Sequence, residues 1–159
     1  MNKTYLLIGS NIGNRETMLA EAKKFIQKEV GKIIRQSSIY ETAAWGNEKQ
    51  DDFLNQVIIV ETKLDSHLTL ETILKIENNL GRKRSVKNAP RTIDIDILFF
   101  NKTILNEKHL KIPHPEIQNR RFVLVPLNEL SPLLLHPVLK CTVHQLLQKC
   151  KDQLNVNKF

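Results

Sequence analysis

The chain contains little cysteine and no long hydrophobic run. Of its 159 residues only two, Cys141 and Cys150, are cysteines, and they form no CxxC pair, which excludes a disulfide-based scaffold. With His144 they fit no zinc module, because the spacing is wrong and a fourth ligand is missing. No apolar stretch approaches the roughly 20 residues that span a bilayer, and residues 1–5 lack the apolar core of a signal peptide. These absences predict a cytoplasmic protein without a membrane partner.

The overall composition is that of a globular protein with an excess of positive charge. Hydrophobic residues make up 41% of the chain and charged residues 26%, which excludes intrinsic disorder. A chain of 159 residues fits one domain, and we expect it to span residues 1–159. The formal net charge of +7 favours anionic partners, which include nucleic acid, nucleotides and anionic surfaces.

The hydrophobic periodicity predicts alternating strands and helices. Strands are expected at 4–9, 32–42, 53–62 and 91–100, and helices at 15–30 and 66–80. Residues 122–130 are predicted as a short strand with a helical turn around Pro126, and 143–154 as a terminal helix. The order β-α-β-β-α-β favours an α+β protein, a ferredoxin-like α/β sandwich with a mostly antiparallel sheet and helices packed on it.

Two aspartates in the 91–100 strand are the main chemical signal. Asp94 and Asp96 share one face of the strand, while Ile93, Ile95 and Ile97 share the other, because successive side chains alternate. Two carboxylates in an apolar context repel each other and need cations to remain ionised. Mg²⁺ accepts one or two carboxylates and completes its shell with water and phosphate oxygens. The pair therefore predicts a metal site in preference to a solvated strand edge.

A basic segment leads directly into that strand. Five cationic side chains occur within eleven positions: Arg82, Lys83, Arg84, Lys87 and Arg91. Charge runs are usually solvated surface loops. Guanidinium groups, however, match phosphate oxygens well, and these lie next to a carboxylate pair, so the segment favours a metal–nucleotide complex.

Other polar and aromatic residues suit the remaining parts of such a ligand. Trp45, Phe53 and Asn55, with Thr42 nearby, combine aromatic planes and an amide that suit a flat heterocycle. His114, held between two prolines, is placed to meet a phosphate or a ribose. The glycine-containing stretch 9–14 lacks the features of a phosphate-binding loop, so we interpret it as a tight turn from strand to helix.

Whole motifs throughout the chain resemble the 6-hydroxymethyl-7,8-dihydropterin pyrophosphokinase family. The segments that carry the resemblance are 7–11 (LIGSN), 38–42 (SIYET), 53–55 (FLN), 81–84 (GRKR), 90–98 (PRTIDIDIL), 113–115 (PHP) and 119–122 (NRRF). The PRTIDIDIL string followed by PHP and NRRF is highly specific. This resemblance implies transfer of the β,γ-diphosphate of ATP to the hydroxymethyl group of the pterin, with release of AMP.

The same resemblance implies roles for individual residues. Asp94 and Asp96 would hold two Mg²⁺ ions, one of which would position and acidify the attacking hydroxyl. The catalytic group would comprise Asp96 and the phosphate-clamping residues Arg82 and Arg91. The ATP contacts would be Glu77, Arg84, His114 and Arg120. The pterin contacts would be Thr42, Phe53, Asn55 and Phe122. The implied protein is a monomer with small-molecule partners and no nucleic acid.

The chain departs from the family pattern beside the pterin site. Many members carry a tryptophan just before the proline and arginine of the basic segment, where this chain has Asn88 and Ala89. We therefore expect Trp45, in the preceding polar segment, to supply the missing aromatic contact. Phe53 stands where a tyrosine is common, which keeps the ring and removes the hydroxyl. His109 and Lys111 also differ from the residues usual at those positions.

Two other functions fit parts of the sequence. A nucleotidyltransferase would share a Gly-Ser element and an Asp-x-Asp pair, but about 85 residues separate the two here, where that class keeps them close. A non-catalytic nucleic-acid-binding module would explain the net charge but would leave the aspartates without a role.

Overall fold

A computed structural model describes residues 1–43, 51–81 and 93–159. The elements, in chain order, are β1 (Asn2–Ser10), α1 (Arg15–Glu29), β2 (Gly31–Gln36), β3 (Tyr40–Thr42), β4 (Phe53–Thr62), α2 (Ser66–Asn79), β5 (Asp94–Phe100), β6 (Leu105–Asn106), β7 (Lys111–Ile112), α3 (Arg121–Leu130), α4 (Val143–Lys149) and β8 (Val156–Lys158). A short 3₁₀ turn, Ile117–Asn119, precedes α3. Within these residues, no helix has both the length and the apolar character needed to cross a membrane.

The main sheet is antiparallel and is built around β1 and β4. Its strand order is β5-β1-β4-β3-β8, and β2 also pairs with β4. β1 is paired along both edges, from Asn2 to Ser10 with β4 and from Thr4 to Gly9 with β5. β6 and β7 form a separate two-stranded sheet. This arrangement confirms the predicted α+β class, with a ferredoxin-like sheet and helices packed on it.

Helices cover both faces of the sheet, and each face has its own apolar core. On one face, residues such as Ile8 and Ile58 pack with Leu19 and Ile26 of α1 and Ile73 of α2. The other core lies under α3 and α4 and contains Tyr5, Leu7, Val57, Leu124 and Val143. The alternation of apolar residues along β1 and β4 thus serves two cores, which explains why both strands are almost uniformly buried.

The structure corrects three local predictions. The 32–42 strand is divided into β2 and β3. Residues 121–130 form one continuous helix with Pro126 inside it, where a short strand and a helical turn around that proline were predicted. The terminal helix ends at Lys149, and the chain then adds β8 to the sheet.

Gly31 permits a close backbone contact between β2 and β4. A Cβ atom added at Gly31 would overlap the carbonyl oxygen of Glu61 and lie 2.9 Å from its carbonyl carbon. Both atoms belong to the backbone, which cannot move away as a side chain can. The position therefore requires glycine for close packing of the two strands.

We predict that Gly31→Ala lowers the free energy of unfolding by about 3 kcal/mol, because the strands must separate to admit the methyl group. Gly13→Ala is the matched control: Gly13 has a φ of +69° but no atom within 4 Å of the added Cβ. Its expected cost is about 1 kcal/mol, for the left-handed backbone alone. Urea unfolding of both variants measures the difference. Equal losses would contradict the overlap at Gly31.

Candidate active site

The two aspartates lie together on one face of β5, as predicted. Ile93, Ile95 and Ile97 enter the core beneath α1 and α2, and Asp94 and Asp96 project from the opposite face, where both are half-buried. Within the described ranges, no three histidine, cysteine or acidic residues form a metal-binding group. Two carboxylate oxygen donors nevertheless fit Mg²⁺, which takes one or two carboxylates and fills its shell with water and phosphate.

A row of paired residues connects the aspartates to an amide two strands away. Asp94 pairs with Gly9 on β1, and Gly9 pairs with Asn55 on β4, so the three positions face the same side of the sheet. A Cβ atom on Gly9 would lie 2.6 Å from Asn55 Oδ1. Because Gly9 has no side chain, it adds no bulk between the Asp94 carboxylate and the Asn55 amide, and the amide can extend over β1.

The amide is oriented by a neighbour on β3. Asn55 Nδ2 donates to Thr42 Oγ1 at 3.2 Å, and both residues are buried. Thr42 pairs with Phe53 at the same end of the sheet, so the two side chains share the face of Asn55. This leaves the other amide N–H and the carbonyl oxygen of Asn55 to recognise a planar polar ligand beside the Phe53 ring.

A histidine and an arginine approach the aspartates from the segment before α3. The backbone N–H of His114 donates to Leu98 O of β5 at 3.0 Å. His114 Nδ1 accepts from the Glu116 backbone N–H at 3.1 Å, which places the ring proton on Nε2. Burial, and then the positive charge of Arg120, lower the pKa of His114 to about 4, although the charges of Asp94 and Glu116 oppose the shift. The imidazole is therefore a neutral N–H donor at pH 7.

Arg120 and Phe122 lie on either side of the start of α3. The Arg120 guanidinium carbon is 5.8 Å from the centre of the Phe122 ring, which is packed against the core under α3 and α4. A cation over an aromatic face restrains both groups. An anion-binding group and an aromatic ring are thereby presented side by side.

Glu77 supports the aspartate strand from α2. Its side chain is 1% exposed, and Glu77 Oε2 accepts the backbone N–H of Ile95 at 2.8 Å. Ile95 lies between the two aspartates, so this hydrogen bond fixes the strand where the carboxylates leave it. The resemblance indicated an ATP contact for Glu77 and gave no sign of this backbone contact.

The structure brings most of the predicted site residues to one region. Those on the sheet are Thr42, Phe53, Asn55, Asp94 and Asp96, and those on the segment entering α3 are His114, Arg120 and Phe122. Trp45, Arg82, Arg84 and Arg91 lie outside the described residues. Sequence reasoning missed the part played by Gly9, which was interpreted as part of a turn. The available signal was a glycine ending a buried strand, which often marks a close approach of other groups.

Comparisons with known proteins show the family of the chain. Residues 5–132 match the family model described as 7,8-dihydro-6-hydroxymethylpterin-pyrophosphokinase (HPPK). The Bacillus subtilis protein named 2-amino-4-hydroxy-6-hydroxymethyldihydropteridine pyrophosphokinase is 43% identical over 130 residues, which cover 81% of this chain and 78% of that protein. The protein of the same name from Aquifex aeolicus is 40% identical over 140 residues, covering 87% and 86%.

A solved structure shows the same fold within a longer protein. The Plasmodium falciparum HPPK-DHPS structure superposes with a TM-score of 0.76 at 23% identity, over 94% of this chain. This chain spans 43% of that one. The match to the family model and the identities to its bacterial members lead to one conclusion: the chain belongs to the 7,8-dihydro-6-hydroxymethylpterin-pyrophosphokinase (HPPK) family.

Proposed function

We propose that this protein transfers the β,γ-diphosphate of ATP to the hydroxymethyl group of 6-hydroxymethyl-7,8-dihydropterin, releasing AMP, in folate biosynthesis. The observation that supports this most strongly is the row Asp94–Gly9–Asn55. Neighbouring strands are about 4.8 Å apart, so the carboxylate and the amide are separated by roughly 10 Å with only glycine between them. That space suits a hydroxymethyl group reaching from a pterin on the amide side to a phosphate on the carboxylate side.

The carboxylate side is assigned to the metal–triphosphate complex. Asp94 and Asp96 would hold two Mg²⁺ ions, which, when bound, neutralise triphosphate charge and acidify the attacking hydroxyl. Arg82 and Arg91 would clamp the phosphates and stabilise charge developing on them. Glu77, Arg84, His114 and Arg120 are assigned to ATP, with His114 Nε2–H and the Arg120 guanidinium as donors to its oxygens.

The amide side is assigned to the pterin. Asn55 would read the polar edge of the ring through its remaining N–H and its carbonyl oxygen, and Thr42 would fix the amide. Phe53 and Phe122 would stack on or border the ring, and Trp45 would supply a further aromatic contact. The pterin hydroxyl oxygen would then attack the β-phosphorus in line, the bond from that phosphorus to the oxygen of AMP would break, and the hydroxyl proton would be released to solvent.

Residues 1–159 would form a single pyrophosphokinase domain acting as a cytoplasmic monomer. Its partners would be the two small-molecule substrates, with no nucleic acid among them.

Product analysis tests the function directly. With ATP, Mg²⁺ and 6-hydroxymethyl-7,8-dihydropterin, we expect AMP and the pterin diphosphate to form in equal amounts. Without the pterin, we expect no AMP to form. Released pyrophosphate would instead indicate nucleotidyl transfer.

Asp96→Ala is expected to abolish transfer and to leave the melting temperature close to that of the original protein, because it removes a metal ligand and no core volume. Glu71→Ala, which removes an exposed carboxylate paired with Lys75, is the control and should keep full activity. Near-normal turnover in Asp96→Ala would show that the metal assignment is wrong.

Gly9→Ala should weaken pterin binding selectively. The added methyl group must displace Asn55 Oδ1, which misaligns the proposed hydrogen bond from Asn55 to the pterin. Losing the energy of one such hydrogen bond should raise KM for the pterin by about tenfold. KM for ATP should be unchanged. Asn55→Ala should show a similar loss, and the double variant should lose little more, since both changes remove the same interaction. An unaltered pterin KM in Gly9→Ala would refute the role of this close approach.

The protonation of His114 can be measured by NMR in the protein without nucleotide. Its pKa lies below the ordinary value of 6.5, so the unfolded chain gains this proton first as the pH falls. The associated stability is complete above about pH 6.5 and is lost toward pH 4. We expect His114 to titrate near pH 4, whereas His67, whose pKa its Glu107 partner raises, titrates above its ordinary value. A His114 midpoint at or above 6.5 would contradict the neutral-donor role.

A further inference from the structure

Residues 152–159, here termed the strap, extend beyond the part of the chain that matches the family model, which ends at residue 132. The strap runs from the beginning of α3 to the outer edge of β3. These two elements carry Phe122 and Thr42, which are both assigned to the pterin site. A segment attached to both can set the distance between them.

The first attachment is at the start of α3. Asp152 Oδ2 accepts the backbone N–H of Arg121 at 2.9 Å, and Asp152 Oδ1 accepts the N–H of Leu154 at 3.0 Å. Arg120, the residue before the helix, makes no side-chain capping hydrogen bond. Asp152 thus supplies the carboxylate that satisfies an N–H in the first turn, and negative charge there is favourable. The anchored residue lies between Arg120 and Phe122.

The second attachment is along β3. β8 pairs with β3 in antiparallel register, with Val156 opposite Thr42 and Lys158 opposite Tyr40, and the Phe159 N–H donates to Ile39 O at 2.9 Å. β3 is only three residues long. A strand this short is held in place mainly by the strands paired with it, so β8 helps to hold Thr42 beneath the Asn55 amide.

The third attachment joins the strap to the segments on either side of residues 44–50. The Phe159 ring centre lies 5.7 Å from the guanidinium carbon of Arg15. Arg15 Nη1 in turn binds Glu41 Oε2 at 2.7 Å and Asp52 O at 2.9 Å. One guanidinium group therefore links the first residue of α1, the middle of β3 and the residue before β4, and the aromatic ring covers it.

A polar cavity lies between the strap and the end of β3 that carries Thr42. Its volume is about 380 Å³, and its lining includes Thr42, Ala43 and Asp52 on one side and Gln153, Leu154 and Asn155 of the strap on the other. Strap residues thus lie beside the same Thr42 that orients Asn55. A shift of the strap would change the position of the Thr42 hydroxyl.

We propose that the strap positions the two sides of the pterin site, with Asp152 and Phe159 as positioning residues that act through Phe122 and Thr42. A separate link, from Tyr40 OH to Glu129 at 2.6 Å, fixes the other end of β3 to α3. The strap pairs along the whole of β3 and supplies Val156 at the Thr42 end. This inference rests on the proposed pterin pyrophosphokinase function and adds to it a determinant of pterin affinity outside the matched region.

Phe159 variants separate positioning from simple apolar packing. Phe159→Leu keeps the apolar volume but removes the aromatic face, and we expect KM for the pterin to rise about two- to fivefold, with kcat and KM for ATP unchanged. Phe159→Tyr keeps the face above Arg15 and should behave as the original protein. A purely structural role would change the melting temperature of Phe159→Leu and leave its pterin KM, measured well below that temperature, unaltered.

Asp152 variants test the attachment at α3. Asp152→Ala should raise KM for both substrates by about tenfold, because Arg120 and Phe122 flank the anchored N–H. Asp152→Asn keeps an oxygen acceptor and should restore most of the loss. Lys151→Ala, an exposed neighbouring substitution, is the control for surface effects.

The two proposals fail in different ways. If the original protein forms no AMP with the pterin, the proposed function is wrong. If it is active and Phe159→Leu and Asp152→Ala, both folded at the assay temperature, keep the original KM values, the strap inference alone is overturned. Loss of kcat without a change in pterin KM would also overturn it.

Discussion

The pairing of β1 along both of its edges determines the position of everything else in the site. Because β1 is hydrogen-bonded to β5 on one side and to β4 on the other, Asp94, Gly9 and Asn55 fall on one row and one face. A shift of one residue in either strand pairing would point the Asp94 carboxylate or the Asn55 amide into one of the two apolar cores. The two apolar cores oppose such a slip, since each contains alternate residues of the same strands.

The site also depends on how its charges and polar groups are restrained. The aspartates leave a strand whose other face is entirely apolar, and Glu77 holds the backbone between them. His114 stays neutral because burial and Arg120 disfavour its protonation. Arg120 is restrained by the Phe122 ring. Such groups need little rearrangement when a charged ligand arrives, which favours preorganised binding of phosphate.

Local patterns were sufficient for the parts of the fold that have strong periodicity. The alternation of isoleucine and aspartate in 93–97 correctly assigned the faces of β5. The predicted helix at 15–30 corresponds to α1, which Asn14 caps by accepting a hydrogen bond from the Thr17 N–H. α3 was misjudged because Pro126 lacks an N–H and usually disrupts a helix interior. β8 was missed because Val156-Asn157-Lys158 has little strand pattern, and its pairing with β3 is formed across more than 110 residues. The backbone contacts of Glu77 and Asp152 likewise depend on tertiary packing, which no spacing of residue types encodes.

The hydrogen bond between Glu77 and Ile95 has a consequence for association between molecules. Among the described strands β5 lies at one end of the sheet, and the outward N–H groups of such a strand can pair with a strand from another chain. At Ile95 that N–H is already bound to a buried carboxylate. An incoming strand would have to displace Glu77 and leave its charge without this partner, which is costly. The group that steadies the aspartates therefore also protects this sheet edge against aggregation.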